Sequence, residues 1–261
     1  MNELGYIKHK DSYEHIYNTG SLRDEDNYYR WILRLLRPVP GRRMLDVACG
    51  EGTLVGFARQ RAVDSHGLDI SVAALTRAKR AFPETNLVVG DAEQLPYGNS
   101  VFDYVTCLGS IENLEHPTSA LREIRRVLKE GGLFLTMLPN NHFVGDLINL
   151  ALGRDESPPF QDVERVASLR QWNRFLEVNG FTVIRRHGYV KQSPLMKRGK
   201  LRSIPKFLKT RCLSLFTPSA FAWSIVYVCR KTPEVHPVKL DVFRPVIREA
   251  LPLIFQPYIT K

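Results

Sequence analysis

Short apolar runs alternate with stretches of helical apolar spacing along the middle of the chain. Residues 44–47 and 102–108 have the length and composition of buried strands. After the first run, Leu54, Phe57 and Ala58 fall three and four positions apart, which is the spacing of one helix face. Strands that alternate with helices predict an α/β fold, in which a parallel sheet carries helices on both faces.

The residues before the first strand are expected to be helical. Tyr13, Ile16 and Tyr17 follow helical spacing, and the apolar residues of 28–36 follow it more clearly. Prolines at positions 38 and 40 then end this part of the chain.

Two helices are predicted inside the alternating core. The first covers residues 72–82, with Ser71 as its N-cap. The second covers residues 119–129, and Gly131 and Gly132 are expected to end it.

Beyond the fifth predicted strand, which ends at Pro139, regular structure is predicted again near residue 163. Apolar residues of 163–178 recur at helical spacing, and Gly180 ends the helix. Residues 181–184 are predicted to form a sixth strand.

The turn after the first strand carries the main functional signal. Residues 46–52 read DVACGEG, in which Gly50 and Gly52 allow a ligand to approach the main chain. A strand, a glycine turn and a helix together predict a nucleotide-type cofactor at the carboxyl edge of the sheet. A dinucleotide fingerprint would need a third glycine where Val55 stands, and a phosphate loop would need a Lys-Ser or Lys-Thr pair that is missing.

The carboxylates near this turn indicate which cofactor it takes. Asp46 and Glu51 would repel a pyrophosphate but suit a ligand with a cationic centre. Asp69 lies 23 residues after Asp46, at the end of the second strand, where a carboxylate can bind ribose hydroxyls. S-adenosylmethionine fits, because it carries a sulfonium and an ammonium group and no phosphate.

Three more blocks follow in order: LVVGDAEQLPY at 87–97, FDYVTCLG at 102–109 and LREIRRVLKEGG at 121–132. With the two anchors above, they resemble the class I S-adenosylmethionine-dependent methyltransferases, of the small-molecule type with a D-x-x-C-G-x-G first motif. The resemblance is strong over residues 42–139 and moderate over 169–186. It implies a Rossmann-like, seven-stranded, mostly parallel sheet with an antiparallel last strand at 221–229.

The resemblance also implies which residues contact the cofactor. The glycine turn surrounds the methionine end, Asp69 takes the ribose hydroxyls and Ile70 packs on the adenine. The full set is Asp46, Ala48, Cys49, Gly50, Gly52, Asp69, Ile70, Asp91, Ala92, Leu108 and Gly109. Many relatives have glycine where this chain has Ala48, and little effect is expected because alanine is small.

The outer parts of the chain are assigned by the same resemblance. The helices of residues 1–37 are expected to form a lid over the cofactor or simply to pack on the sheet. Residues 1–231 are expected to form the methyltransferase domain, with 140–168 on the acceptor side and 187–220 as an insertion between the last two strands. Residues 232–261 contain five prolines and form a tail.

The positive charge of the chain is concentrated in and around the insertion. The chain has a net charge of +10, and residues 185–231 hold twelve Lys and Arg and no Asp or Glu. Leu201, Ile204 and Leu208 lie on one face of a predicted basic helix. This helix either packs on the domain, contacts an anionic membrane or lipid-linked partner, or binds nucleic acid. The few aromatics between its basic residues weaken the nucleic-acid alternative.

Two histidines are candidate general bases for a hydroxyl acceptor. His116 and His142 each follow a core strand at the expected ligand edge. His116 also suits a structural role at a helix start, because it precedes Pro117, and an amine or carbanion acceptor needs neither histidine. Cys49 is interpreted as a small residue of the turn, and four scattered cysteines predict neither a metal site nor a disulfide.

These observations predict methyl transfer from S-adenosylmethionine to a small molecule, a sugar or a lipid-linked intermediate. RNA methylation and cofactor binding without catalysis are the alternatives. No run approaches the about 20 apolar residues that span a bilayer. We therefore expect a cytoplasmic protein, with peripheral contact at the inner face of the membrane as one alternative.

Overall fold

The computed structural model describes residues 3–140, 165–189 and 222–232. His142, most of the basic insertion and the tail lie outside the described residues. The described helices are α1 (Glu3–Thr19), α2 (Asp26–Leu36), α3 (Thr53–Arg59), α4 (Val72–Ala81), α5 (Pro117–Val127) and α6 (Leu169–Val178). The strands are β1 (Arg43–Val47), β2 (Asp64–Asp69), β3 (Asn86–Val89), β4 (Phe102–Leu108), β5 (Leu128–Pro139), β6 (Phe181–Tyr189) and β7 (Ser224–Lys231).

Within the described parts of the chain, the seven strands form one sheet in the order β3-β2-β1-β4-β5-β7-β6. The first five strands are parallel to one another, and β7 is antiparallel to both β5 and β6. This confirms the predicted mostly parallel sheet with an antiparallel last strand. The chain order reverses between β1 and β4, which is where a parallel sheet opens a crevice for a ligand at its carboxyl edge.

Helices cover both faces of the sheet. On one face, Ile124 of α5 and Trp172 of α6 are fully buried against Val105 and Phe134. On the other face, Ile32 of α2 and Leu54 of α3 pack in a second buried cluster. Strands β1 and β7 are buried at nearly every position because helices cover both of their faces.

One predicted helix boundary is wrong because strand pairing ends the helix early. The helix expected over 119–129 ends at Val127, because Leu128 adopts extended backbone and pairs with Phe102. Gly131 and Gly132 therefore lie inside β5 rather than at a helix end. The buried Lys231 side chain, which donates to the Leu128 carbonyl at 2.9 Å, holds this early start of the strand.

The sixth strand is longer than its apolar run indicated. It continues to Tyr189, so residues 187–189 of the predicted insertion belong to the sheet. Pairing with β7 supports this extension, with His187 opposite Val226 and Tyr189 opposite Ser224. The helix predicted from residue 163 begins at Leu169, where Ser168 and Gln171 form a capping box.

No helix within these described segments is long and apolar enough to cross a membrane.

Candidate functional site

The glycine turn lies between β1 and α3, at the carboxyl edge of the sheet. Gly50 and Gly52 have φ of 52° and 66°, and Gly52 is the N-cap of α3. A Cβ on Gly50 would lie 2.6 Å from the Tyr17 hydroxyl, and one on Gly52 would lie 2.9 Å from the Ala78 Cβ. The turn therefore needs glycine both for its backbone angles and for the closeness of its neighbours.

Ala48 has a φ of 56°, in the same left-handed region. An L-residue with a Cβ pays about 1–2 kcal/mol for this conformation. The small size of alanine was expected to make it harmless, but the cost arises from the backbone angle and not from the volume of the side chain.

Asp69, at the end of β2, holds the turn in place. Its carboxylate accepts hydrogen bonds from the Gly50 amide at 2.7 Å and from the Ser71 amide at 2.9 Å. The side chain is buried, and burial raises the pKa of Asp69 against the lowering effect of these main-chain donors. Each oxygen keeps a second lone pair, which leaves the carboxylate able to accept from ribose hydroxyls.

Asp46, at the end of β1, lies beside Thr106 of the neighbouring strand β4. The Thr106 hydroxyl donates to the Asp46 carboxylate at 2.5 Å. Burial, helped by the nearby Asp69 carboxylate, raises the pKa of Asp46 to about 7, although the hydrogen bond from Thr106 acts in the opposite direction. Asp46 is thus poised to ionise when a cation enters the site.

The loop after β4 forms another wall of the site. Gly109 has a φ of 65°, its amide donates to the Met137 carbonyl at 3.2 Å, and its carbonyl accepts from the Asn113 side chain at 3.2 Å. A Cβ on Gly109 would lie 3.4 Å from the Met137 methyl carbon and 4.0 Å from an oxygen of Glu112. The Asn113 Oδ1 atom is buried and has no hydrogen-bond partner in the part of the chain that the structure describes.

On the loop after β3, Asp91 Oδ1 accepts from the Glu93 amide at 2.8 Å and Ala92 is buried. Ile70 and Leu108, at the ends of β2 and β4, are partly exposed. The predicted contact residues from four strands thus meet at one edge of the sheet.

Helix α1 covers this edge. Tyr17 is buried with its hydroxyl over Gly50, and burial together with Asp69 and Cys49 raises its pKa. The pKa of Tyr13 is also raised by burial, and by the neighbouring Glu112 and Asp69 carboxyl groups. This position of α1 favours a lid over the cofactor rather than simple packing on the sheet.

The remaining candidates lie at the margin of the site or outside the described residues. The His116 ring is half exposed and its Nδ1 lies 3.0 Å from a Glu93 carboxylate oxygen, while its amide donates to the other oxygen at 2.8 Å. His142 is not among the described residues. Cys49 packs its sulfur against Gly67, and burial raises the pKa of the Cys49 thiol well above its usual range, as suits a packing residue.

Several side chains of the site carried no sequence signal that separated them from core residues. Thr106 and Met137 lie within apolar strand runs, and Glu112 lies in a short 3-10 helix (Ile111–Asn113), yet all three face the site. Tyr28 of α2 donates to the Met137 sulfur at 3.3 Å and packs against Tyr189, which in turn stacks on Trp31. The spacing of these aromatics predicted only that they would be buried.

A glycine turn at the crevice of a mostly parallel sheet, with acidic residues ending the first two strands, defines a Rossmann-like cofactor-binding protein. Comparison with known proteins narrows this class. Residues 45–136 match the model of a family described as a methyltransferase domain. An uncharacterized methyltransferase of Synechocystis sp. is 30% identical over 176 residues, which cover 66% of this chain and 81% of that protein. The chain belongs to the class I S-adenosylmethionine-dependent methyltransferases.

A second group of relatives is named for a small-molecule reaction. The demethylmenaquinone methyltransferase of Renibacterium salmoninarum is 36% identical over 112 residues, which are 43% of this chain and 47% of that protein. The protein of the same name from Mycobacterium tuberculosis is 36% identical over 120 residues, 45% of this chain and 50% of that one. The chain thus spans about half the length of these two relatives.

Solved structures share the fold. Magnesium protoporphyrin IX methyltransferase from Synechocystis PCC 6803, solved with bound SAH, matches with a TM-score of 0.57 and 16% identity. The match covers 88% of this chain and 96% of that protein's chain. The [4+2]-cyclase SpnF has a TM-score of 0.58 and 19% identity over 81% of this chain and 82% of its own.

The residues present fit S-adenosylmethionine. Two buried carboxylates suit its sulfonium and ammonium charges and its ribose diol, and the glycine turn admits its methionine end. The buried, unpartnered Asn113 Oδ1 offers a further hydrogen-bond acceptor at the wall formed by Gly109.

Proposed function

We propose that this protein transfers a methyl group from S-adenosylmethionine to a small-molecule acceptor by in-line displacement. The observation that carries the proposal is the pairing of Asp69 with the Gly50 amide, beside the buried Asp46. This arrangement joins a ribose-binding carboxylate to a turn that a cationic methionine group can approach. When bound, S-adenosylmethionine supplies a methyl group activated by the positive sulfur.

The proposed cofactor contacts are those that the family resemblance implies. Asp46 and the turn of Ala48, Cys49, Gly50 and Gly52 hold the methionine end. Asp69 holds the ribose, and Ile70, Asp91 and Ala92 hold the adenine. Leu108 and Gly109 close the site beside the methyl group.

The work left for this chain is mainly alignment. A neutral thioether leaves without help from an acid, so most of the rate can come from holding the acceptor atom behind the methyl group. The side chains around Gly109 are placed for this task. Met137 supplies an apolar contact, while Glu112 and the nearby Tyr13 supply polar groups that can orient an acceptor.

For a hydroxyl acceptor, Glu112 is also placed to receive the proton. Its side chain is 6% exposed, and it lies closer to the Gly109 wall than the half-exposed His116, whose ring is bonded to Glu93. His116 and His142 stay as alternative bases.

We further propose that the acceptor is an apolar molecule with a ring, free or lipid-linked. Tyr28, Trp31 and Tyr189 form an aromatic group that reaches the site through Met137. Aromatic faces and a thioether bind planar apolar rings well. The relatives named demethylmenaquinone methyltransferase support this class, since their named substrate contains a quinone ring. Contact of residues 187–220 with an anionic membrane stays a prediction.

Transfer of labelled methyl groups from S-adenosylmethionine into separated cell fractions tests this function. The fractions are lipid, soluble small molecule, glycan, RNA and protein, and the Asp69→Ala variant is the control for label that does not pass through the site. Label in the lipid or small-molecule fraction, with purified demethylmenaquinone as one added acceptor, is the expected result. Label in RNA alone would overturn the proposed acceptor class, and no label in any fraction would overturn methyl transfer itself.

A further inference from the structure

Glu14 makes the most extensive polar contact between the lid helix α1 and the body of the protein among the described residues. Its carboxylate accepts hydrogen bonds from the Ser71 hydroxyl at 2.8 Å, the Val72 amide at 2.9 Å and the Ala73 amide at 2.9 Å. These amides are the first of α4 and have no partner within their own helix. A carboxylate at this position also interacts favourably with the positive end of the helix dipole.

The same contact leads directly to the cofactor site. Ser71, which donates to Glu14 through its hydroxyl, donates through its amide to Asp69. Asp69 in turn accepts from the Gly50 amide. A short chain of hydrogen bonds therefore connects the lid helix to the glycine turn.

Glu14 shares one side of α1 with two tyrosines. Tyr13 precedes it and Tyr17 follows it by three positions, so all three lie on the side of the helix that faces the body. With Glu14 bonded to α4, the Tyr17 hydroxyl lies over Gly50 and Tyr13 lies near Glu112 and Asp69.

A second contact ties down the end of the helix. Arg77 of α4 donates to the Gly20 carbonyl at 2.6 Å and to a Glu51 oxygen in the glycine turn at 3.1 Å. Glu14 and Arg77 thus hold α1 at two points along α4.

We propose that Glu14 is a positioning residue that latches α1 over the cofactor site, and that release of this latch admits and discharges the cofactor. The inference rests on the proposed function only in taking S-adenosylmethionine as the ligand of Asp69. Tyr13 and Tyr17 close the site when the latch is made, and they move away with α1 when it is broken.

The dissociation rate of S-adenosylhomocysteine from the full-length protein tests the latch. Glu14→Ala is expected to raise this rate by about tenfold or more, because it removes three hydrogen bonds to a charged acceptor. Glu14→Gln keeps only one acceptor oxygen and places an NH2 group where the other carboxylate oxygen accepted, so its rate is expected to lie between those of Glu14→Ala and the wild type. Asp11→Ala removes the same charge from an exposed position on α1 and is expected to change nothing. Equal rates in Glu14→Ala and wild type, or an equal rise in Asp11→Ala, would overturn the proposal.

Hydrogen exchange without any cofactor separates the latch from the proposed function. Glu14→Ala is expected to speed exchange at Val72 and Ala73 and throughout α1, while the strands of the sheet keep their protection. Unchanged exchange in α1 would refute the latch even if the protein binds its cofactor. A wild-type protein that binds neither S-adenosylmethionine nor S-adenosylhomocysteine would refute the proposed function, and the exchange experiment would still decide the latch.

Discussion

The hydroxyl of Thr106 donates a 2.5 Å hydrogen bond to the carboxylate of Asp46, where two neighbouring parallel strands end. The carboxylate is almost completely buried, and its pKa of about 7 is set by the balance between that burial and this bond. The protein therefore keeps an acid near its ionisation point at the site proposed for a cationic cofactor. Because a cation favours the ionised form, cofactor binding and proton release should be coupled.

This coupling predicts that cofactor affinity rises with pH from about 5 to about 7 and then levels off. In the protein without cofactor, the raised pKa of Asp46 affects stability in the opposite direction. The protonated Asp46 stabilises the fold fully below the unfolded-state pKa, and this contribution is lost as the pH rises through about 7. Calorimetry in buffers of different ionisation enthalpy measures the released proton.

Three variants test the assignment to Asp46. Thr106→Val removes the bond that favours ionisation, so the rise in affinity should move to higher pH. Thr76→Val, which removes a hydroxyl from an exposed position of α4, should leave the profile unchanged. The burial-raised pKa of Asp69 contributes in the same direction, so Asp46→Asn should flatten the profile only in part. A wild-type profile without slope over this range would contradict the coupling.

Asp69→Ala is expected to abolish cofactor binding. The substitution removes the proposed ribose ligand and also the acceptor of the Gly50 and Ser71 amides, so the turn loses its support. The loss of two bonds to a charged group corresponds to a fall in affinity of about 100-fold or more. Asp64→Ala, at the opposite end of the same strand, removes exposed ion pairs with Arg43 and Arg59 and is the matched control. Micromolar affinity retained in Asp69→Ala, measured by calorimetry, would count heavily against the assignment.

Ala48→Gly is expected to stabilise the protein. Glycine relieves the strain of the positive φ, which costs alanine about 1–2 kcal/mol. Glycine also raises the conformational entropy of the unfolded chain, which offsets part of this gain and leaves a net stabilisation of about 0.5 kcal/mol. Urea unfolding measures the change. Ala62→Gly is the control, since Ala62 has a φ of 57° at an exposed position away from the site. Both variants should gain stability alike, and a loss at position 48 alone would show that its methyl group makes a contact the turn needs.

Glu112→Gln should lower kcat by about 100-fold if the acceptor is a hydroxyl, with cofactor affinity preserved. The amide keeps the size of the side chain but cannot take up the proton. Glu115→Gln removes the same charge from an exposed position three residues further on and should leave kcat unchanged. A normal kcat in Glu112→Gln, with an acceptor shown to be a hydroxyl, would remove Glu112 from the proposed base role.

His116→Ala is expected to change kcat by less than about threefold. Removal of a residue that acts as the general base would lower kcat by about 100-fold or more. The ring is half exposed and bonded to Glu93, and the main-chain bond of residue 116 to the same carboxylate survives the substitution. An exposed pair of this kind contributes about 0–1 kcal/mol to stability. His142→Ala is measured in parallel. A fall of about 100-fold in either variant, without a change in the KM for the cofactor, would reassign the base to that histidine.

Local patterns determined much of this protein. The alternation of short apolar runs with helical spacing predicted the parallel sheet and its two helical layers, because buried parallel strands need apolar residues on both faces. The order of Asp46, Gly50, Gly52 and Asp69 predicted that these residues would meet at the carboxyl edge of the sheet, and Asp69 does bond to Gly50 there. Ser71 was predicted as the N-cap of α4, and its hydroxyl accepts from the Ala74 amide.

Only the tertiary structure decided the rest. Gly131 and Gly132 predicted a helix end, but pairing of Leu128 with Phe102 draws the chain into β5 before the glycines are reached. Glu14 is an ordinary exposed-face glutamate in the sequence, and it acquires its three bonds only because α1 docks beside the start of α4. Thr106 and Asp46 lie 60 positions apart, and the sheet brings them within 2.5 Å. Contacts of this kind depend on strand register and helix docking, which are set by packing across the whole domain and leave no periodic trace along the chain.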